Sequence, residues 1–327
     1  MPPVPAAALP PLGPAFTTAD ARAAGVSPAR LRRTDLTRPW RGVRISTTPH
    51  PTALSWDAIG LPEPPHGLSG HLLWALQRQR PDAVLSHTTA AHLHGIPLPL
   101  SVRRGPMPAR TPVEVTVAPD RRIRLADVRP YRRQLPPDHV MLQHGLRVTT
   151  PERTWLDLCA LTPTWTLDDL VAAGDHLVHH PWTPSGRLSP ITTLKRLHRT
   201  CDQAGPVRGI RTARNALAEI RVGADSAMET HARLALVRAG LGEPLLQHRV
   251  APGDPDCPEV DLFYADGAVA LEYDGGHHLT RSQQARDAQR DRWLIAHGIA
   301  PVRVTAEDHA TGYRRVIALV RDRRRRG

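Results

Sequence analysis

The stretch Glu259–His278, EVDLFYADGAVALEYDGGHH, decides the fold of the last third of the chain. Asp266-Gly267 lies between two apolar runs, a strong signal for a two-residue hairpin turn. With those residues as the turn, Ala265 faces Ala268, Phe263 faces Ala270, Asp261 faces Glu272 and Glu259 faces Asp274. Side chains alternate along a strand, so Val260, Leu262, Tyr264, Val269, Leu271 and Tyr273 share one side, the expected core face. The other side carries Phe263, Ala268 and Ala270 near the turn and the four acids at the far end. Directly opposed residues on an antiparallel pair stand about 5 Å apart, and like charges there destabilise. Something positive must therefore offset them. No arginine lies within the hairpin, so a divalent cation, which takes oxygen ligands, is the expected compensation. A solvated acidic face is the competing reading.

Elements on either side extend the pattern. A helix through SAMETHARLALVRAGL begins at Ser226, and PLLQHRV forms a strand before the hairpin. RSQQARDAQRDRWLIAHG follows as a helix, APVRVT as a strand and EDHATGYRRVIALVRDR as one final helix. The order is α-β-β-β-α-β-α. Glu229 ends a capping box, Ser226-Ala-Met-Glu229, and is a candidate site residue as well. Asp287 and Asp291 alternate with Arg286 and Arg290 at four-residue spacing, as on a salt-bridged helix face; the two arginines could instead touch a phosphate. The tail RDRRRRG is expected to be a mobile, phosphate-binding end.

Charge is distributed unevenly. All 43 Lys+Arg are arginine except Lys195, and the net charge is +12. Residues 223–327 balance to zero, so the whole excess lies in residues 1–222 and points to a polyanionic partner, DNA first. Near the start, FTTADARAAGVSPARLRR reads as two short helices about Gly25, with Thr17 or Thr18 capping the first and Ser27 the second. RPWRGVRIS, turning at Gly42, would be a wing. Arg30, Arg32, Arg33, Arg41 and Arg44 are the expected DNA contacts, joined by Arg286 and Arg290 further on. STTPHPTALSWDAIGLPEPPHG reads as a linker, and residues 69 to 222 as mixed helices and strands of unassigned role. His87, His92, His94, His176, His179 and His180 lack a completing carboxylate or cysteine, so they are expected to be exposed or satisfied in a core. Three cysteines without a CxxC pair fit a reduced, cytoplasmic setting. No apolar run could span a bilayer, and the first residues lack the pattern of a signal peptide. Aromatic residues are 4% of the chain, few for the stacking platforms of single-strand RNA readers.

Asp261, Glu272, Asp274, Gly275 and His278 together resemble the motif of the PD-(D/E)XK nuclease superfamily, in the branch similar to the very-short-patch-repair endonuclease. The likeness covers about the last 105 residues. It implies a restriction-endonuclease-like α-β-β-β-α-β core in which Asp261, Glu272 and Asp274 hold Mg²⁺ or Mn²⁺. His278 would orient or deprotonate the attacking water or protonate the leaving oxygen, and Glu229 is the upstream acid. Asp274 stands where the family has its usual lysine; in this branch an acid there is common, with the following histidine assisting, and hydrolysis stays open. The N-terminal part resembles the winged-helix start of AbiEi-type antitoxins. The expected organisation is α/β (α+β): a winged helix-turn-helix head at 1–60, an α+β middle region at 61–222 and the nuclease-like domain at 223–327. The expected function is metal-dependent DNA endonuclease activity in repair or defence. The rival is a non-catalytic DNA-binding regulator or antitoxin with a degenerate nuclease domain. DNA is the expected partner, no membrane is involved, and a homodimer stays open.

Overall fold

A computed structural model describes residues 12–13, 15–47, 70–99, 112–183, 185–274 and 281–326, with the backbone alone at 71 and 281–284. The chain forms two compact units, Met1–Leu158 and Cys159–Gly327, both mixing helices and sheets.

The first unit starts with β1 (Ala15–Thr17) and α1 (Thr18–Ala23), capped by Thr17 and Asp20 in a reciprocal capping box. Gly25, at φ +75°, turns the chain, and Ser27 Oγ accepts from Arg30 N–H at 3.2 Å as expected of a cap. Where a second full helix is expected, only a single 3₁₀ turn forms, Arg30–Arg32. The strands β2 (Leu36–Thr37) and β3 (Val43–Ser46) make the wing, and the sheet order is β1-β3-β2. The head thus has the outline of a winged helix with a shortened second helix. Its core is Leu12, Phe16, Ala21, Leu31 and Leu36. The proline-rich linker lies almost wholly outside the described residues.

Beyond it come α2 (Gly70–Gln79), β4 (Val84–Leu85), α3 (His87–Leu93), β5 (Val113–Val117), β6 (Val128–Arg132), β7 (Val140–Gln143), β8 (Leu146–Thr149) and α4 (Pro151–Leu158). The five strands order as β6-β5-β4-β8-β7. β5 is buried on both faces, which explains why VEVTV carries so few exposed polar positions. Glu114 within it stays buried because Tyr131 OH (2.9 Å), Thr88 N–H (2.8 Å) and Arg129 Nη1 (3.3 Å) all donate to its carboxylate. His87 is buried, stacks on Tyr131 with ring centroids 3.5 Å apart, and shares a 2.9 Å bond with Ser86 Oγ. His94 Nε2 lies 2.8 Å from Thr149 O, and His92 is buried. His87 and His94 are thus satisfied within the core, as expected.

The second unit has α5 (Leu167–Val178), the ribbon β9 (Trp182–Thr183) and β10 (Gly186–Arg187), α6 (Leu194–Gln203), α7 (Ile210–Glu219) and α8 (Ala227–Leu236). There follow β11 (Leu245–Arg249), β12 (Glu259–Tyr264), β13 (Val269–Tyr273), α9 (Arg281–Ala296), β14 (Ala300–Val304), α10 (Ala306–Ala310) and α11 (Arg314–Arg326). The sheet order β11-β12-β13-β14, with β13 and β14 parallel, realises the expected element order. The expected final helix is two, because Gly312 (φ +69°) and Tyr313 (φ +58°) break it. α5 ends at Val178, so His180 lies past the helix and shares no helical face with His176.

Sheet faces in this unit are both covered. Leu262, Tyr264, Val269 and Leu271 pack with Ala232 and Leu236 of α8 and Val316 and Val320 of α11. Phe263 and Ala270 pack on the opposite face with Leu294 and Ile299, and Val260, beside the left-handed Gln247 (φ +43°), joins them. Two apolar layers therefore enclose one sheet, where alternation alone supplies one.

Candidate functional site

The hairpin register is the expected one: Leu262 pairs with Leu271, Phe263 with Ala270 and Tyr264 with Val269. Continuing that ladder sets Asp261 across from Glu272. The turn differs. Ala265–Gly267 is a 3₁₀ turn in which Ala268 N–H donates to Ala265 O, and Ala268 (φ +46°), not the glycine, takes the left-handed conformation. Gly267 is required for another reason. A Cβ there would lie 2.8 Å from Arg324 Cγ and 3.3 Å from its backbone nitrogen. Arg324 seals the turn by pairing with Asp266, donating to Leu241 O and lying 5.5 Å over the Tyr264 ring. The tail residues Arg321–Arg326 are accordingly helical and partly engaged, a correction to the mobile end expected from composition.

Two of the four acids at the far end of the hairpin pair with arginines from elsewhere in the fold. Glu259 pairs with Arg187 of β10. Glu272, buried, has Arg290 Nε at 2.6 Å from one oxygen and Arg303 Nη1 at 3.0 Å from the other. Arg303 stands beside Glu272 in the parallel β13–β14 ladder and also donates to Asp291 at 3.0 Å. Asp261 accepts Tyr273 N–H at 2.8 Å and lies 3.5 Å from Gln247 Nε2. Asp274 closes the ladder through its N–H to Val304 O.

Glu229 joins this cluster from α8. Its backbone is capped by Ser226, but its carboxylate accepts from Asp225 N–H at 2.9 Å and Gln247 Nε2 at 3.1 Å, so the expected reciprocal box is not closed. Gln247, in the left-handed region usually left to glycine, holds one amide between Glu229 and Asp261. Burial, then the mutual repulsion of the two acids, pushes Glu229 upward, and burial does the same to Asp261. Glu272 is pushed up to about 7, burial outweighing Arg290 and Arg303.

Glu229, Asp261 and Glu272 are thus brought together, and Asp274 follows Glu272 by two residues. His278 lies outside the described residues. As they stand, these acids are offset without a divalent cation. Both Glu272 oxygens face guanidiniums, Asp261 and Glu229 already accept backbone N–H groups, and among the described residues no group of three or more His, Cys, Asp or Glu is arranged to hold a metal ion. Arginines from outside the hairpin supply the compensation that the hairpin's own sequence lacks. Sequence reasoning missed Gln247 and Arg303. Alternation in APVRVT does put Arg303 on a defined face, but only the strand pairing brings it to Glu272.

The candidate DNA contacts divide in two. Arg30 forms a bidentate pair with Asp35 at 3.0 and 2.7 Å, and Arg44 donates to Leu31 O at 2.9 Å and Val43 O at 2.8 Å, so both hold the head together. Arg290 is committed to Glu272 and to Glu259 O. Arg32, Arg33, Arg41 and Arg286 are exposed. Salt bridges that spacing suggests along α9 run instead from Arg290 and Asp291 to other elements.

A family model described as the AbiEi antitoxin C-terminal domain matches residues 82–219. The likeness therefore falls on the middle of the chain, one region beyond the winged head, and ends before Glu229. No curated protein matches the chain. No described helix is long and apolar enough to cross a membrane.

Proposed function

We propose that this protein is a DNA-binding regulator of the antitoxin type, in which the nuclease-like sheet is a non-catalytic scaffold. The observation that carries this reading is the match of residues 82–219 to an AbiEi antitoxin domain. Two features support it. The head exposes Arg32, Arg33 and Arg41 around a winged-helix outline. The acids that a nuclease would need for its cation are occupied by Arg290, Arg303, Gln247 and backbone N–H groups.

Fluorescence anisotropy on a labelled duplex tests the reading. Binding should weaken steeply with salt, and R32A/R33A should lower affinity and reduce the log–log salt slope by about 2. Duplex binding with no salt dependence, or unchanged in R32A/R33A, would overturn the role given to the head.

The convergence of Glu229, Asp261 and Glu272 supports a second reading, the Mg²⁺- or Mn²⁺-dependent endonuclease, in which a cation displaces Arg290 from Glu272. Supercoiled plasmid incubated with Mg²⁺, Mn²⁺ or EDTA decides between them. The regulator reading expects no nicking in any arm. Metal-dependent nicking that vanishes in Asp261→Ala would establish the nuclease.

A further inference from the structure

In the first unit an arginine-lined concavity of about 400 Å³ is formed by Arg121, Arg122, Ile123, Arg124, Pro130 and Arg132. It lies where the loop between β5 and β6 meets the edge strand β6. Its geometry follows from the local sequence, RRIRLADVRPYR. Ile123 is buried in the main core and Leu125 packs against it, so Arg122 and Arg124, which alternate with them, are turned outward. Along β6 the alternation separates Arg132 and Pro130, on the pocket side, from Tyr131, which points to Glu114 and His87.

The loop is pinned at three points. Arg121 N–H donates to Ala118 O, Arg80 Nη1 donates to Arg122 O at 2.8 Å, and Trp40 Nε1 of the wing donates to Ala126 O at 2.7 Å. The backbone that carries Arg121, Arg122 and Arg124 is thus fixed beside the strand that carries Arg132.

Their charges are barely offset within the protein. Arg129 next door is neutralised by Glu114, and Arg133 lies 3.9 Å from Asp157. Among the described residues the one carboxylate ion-paired to any of the four pocket arginines is Asp120, an exposed side chain 3.7 Å from Arg121 Nε. Four like charges around one hollow repel one another, and guanidinium forks match the oxygens of phosphate in pairs. No aromatic side chain lines the hollow.

We propose that this concavity binds a run of consecutive phosphate groups, supplied either by a DNA backbone or by a free polyphosphate. The DNA source rests on the regulator reading above; the polyphosphate source does not. The probes are inorganic tripolyphosphate, titrated by calorimetry, and a labelled duplex, titrated by anisotropy. The proteins are wild type, R122A/R124A and R32A/R33A. Exposed arginines are replaced, so R122A/R124A should keep the wild-type Tm.

If the source is free polyphosphate, tripolyphosphate binds wild type and at least tenfold more weakly to R122A/R124A, with duplex affinity unchanged. If the source is the backbone, duplex affinity falls at least tenfold in R122A/R124A, the salt slope drops by about 2, and tripolyphosphate competes with the duplex. Wild-type duplex binding that is lost in R32A/R33A but untouched in R122A/R124A, with no tripolyphosphate binding, overturns this proposal and leaves the regulator reading standing. Tripolyphosphate binding at these arginines by a protein that ignores DNA does the reverse.

Discussion

The acid end of the second unit's hairpin and the arginine loop of the first unit are both dense in charge, yet they are resolved in opposite ways. Around Glu272 and Glu259 the carboxylates meet arginines from other elements of the fold, and Asp261 accepts from Tyr273 N–H across the hairpin. Around Arg122, Arg124 and Arg132 no such partner arrives among the described residues. A buried charge must be paired or it is expelled, whereas an exposed one is tolerated by water and stays available to a ligand. On the regulator reading, self-compensation makes the first region a scaffold, and its lack leaves the second open to something negative.

Breaking a compensated pair should show the largest effect. Arg233 and Asp175 form a buried ion pair at 3.1 Å in the second unit, with Thr230 and Arg221 N–H also on Asp175. Burial pushes Asp175 up to about 6 against the pull of Arg233. Arg233→Met leaves that carboxyl buried without its cation and should cost about 3–5 kcal/mol in urea unfolding. A loss under 1 kcal/mol would mean that water reaches the pair.

Arg303→Ala comes next. It strips Glu272 of one cation and leaves Arg290, so a loss of about 1–3 kcal/mol is expected by the same measurement. If Mg²⁺ restored the lost stability, the acids would take a cation after all, and the contrast between the two regions would narrow.

The pH dependence sharpens the same point. Glu229 and Glu272 have folded pKa values above their unfolded ones, Glu272 at about 7. Folding then favours their protonated forms, so their stabilising effect is present in full below the unfolded carboxylate pKa and is lost as pH rises through the folded values. Buried histidines whose folded pKa values are lowered, His176 to about 4, act in the opposite sense, so the test is the difference between variant and wild type. Glu229→Gln should gain Tm relative to wild type as pH rises from 5 to 8, and a difference that stayed constant with pH would contradict the burial of Glu229.

Least affected should be R122A/R124A, whose Tm should match wild type with a stability change within about 0.5 kcal/mol. A gain in stability beyond that would measure the mutual repulsion of the loop arginines directly.

Much of the second unit was legible because its signals are local. Asp266-Gly267 between alternating apolar runs sets the hairpin register, and the order of helices and strands follows from periodicity and caps such as Ser226. The turn type was not legible, since Gly267 answers to Arg324, 57 positions further along the chain. In the head the caps Thr17 and Ser27 were readable, but the second helix shrank to one turn. Arg30 and Arg44 looked like ligand contacts because charge alone cannot tell a surface arginine from one tied to Asp35 or to a backbone carbonyl.

The sequence by itself determined the acidic end of the hairpin, since a register and an alternation place Asp261 and Glu272 together whatever surrounds them. Only the tertiary structure decided what neutralises them. Arg303 reaches Glu272 through parallel pairing of β13 with β14 across an intervening helix, and Arg290 through the packing of that helix on the sheet. Alternation and turn chemistry act over a few residues and are written in neighbouring letters. Charge compensation acts through space, and which arginine arrives at a carboxylate depends on every element that folds between them.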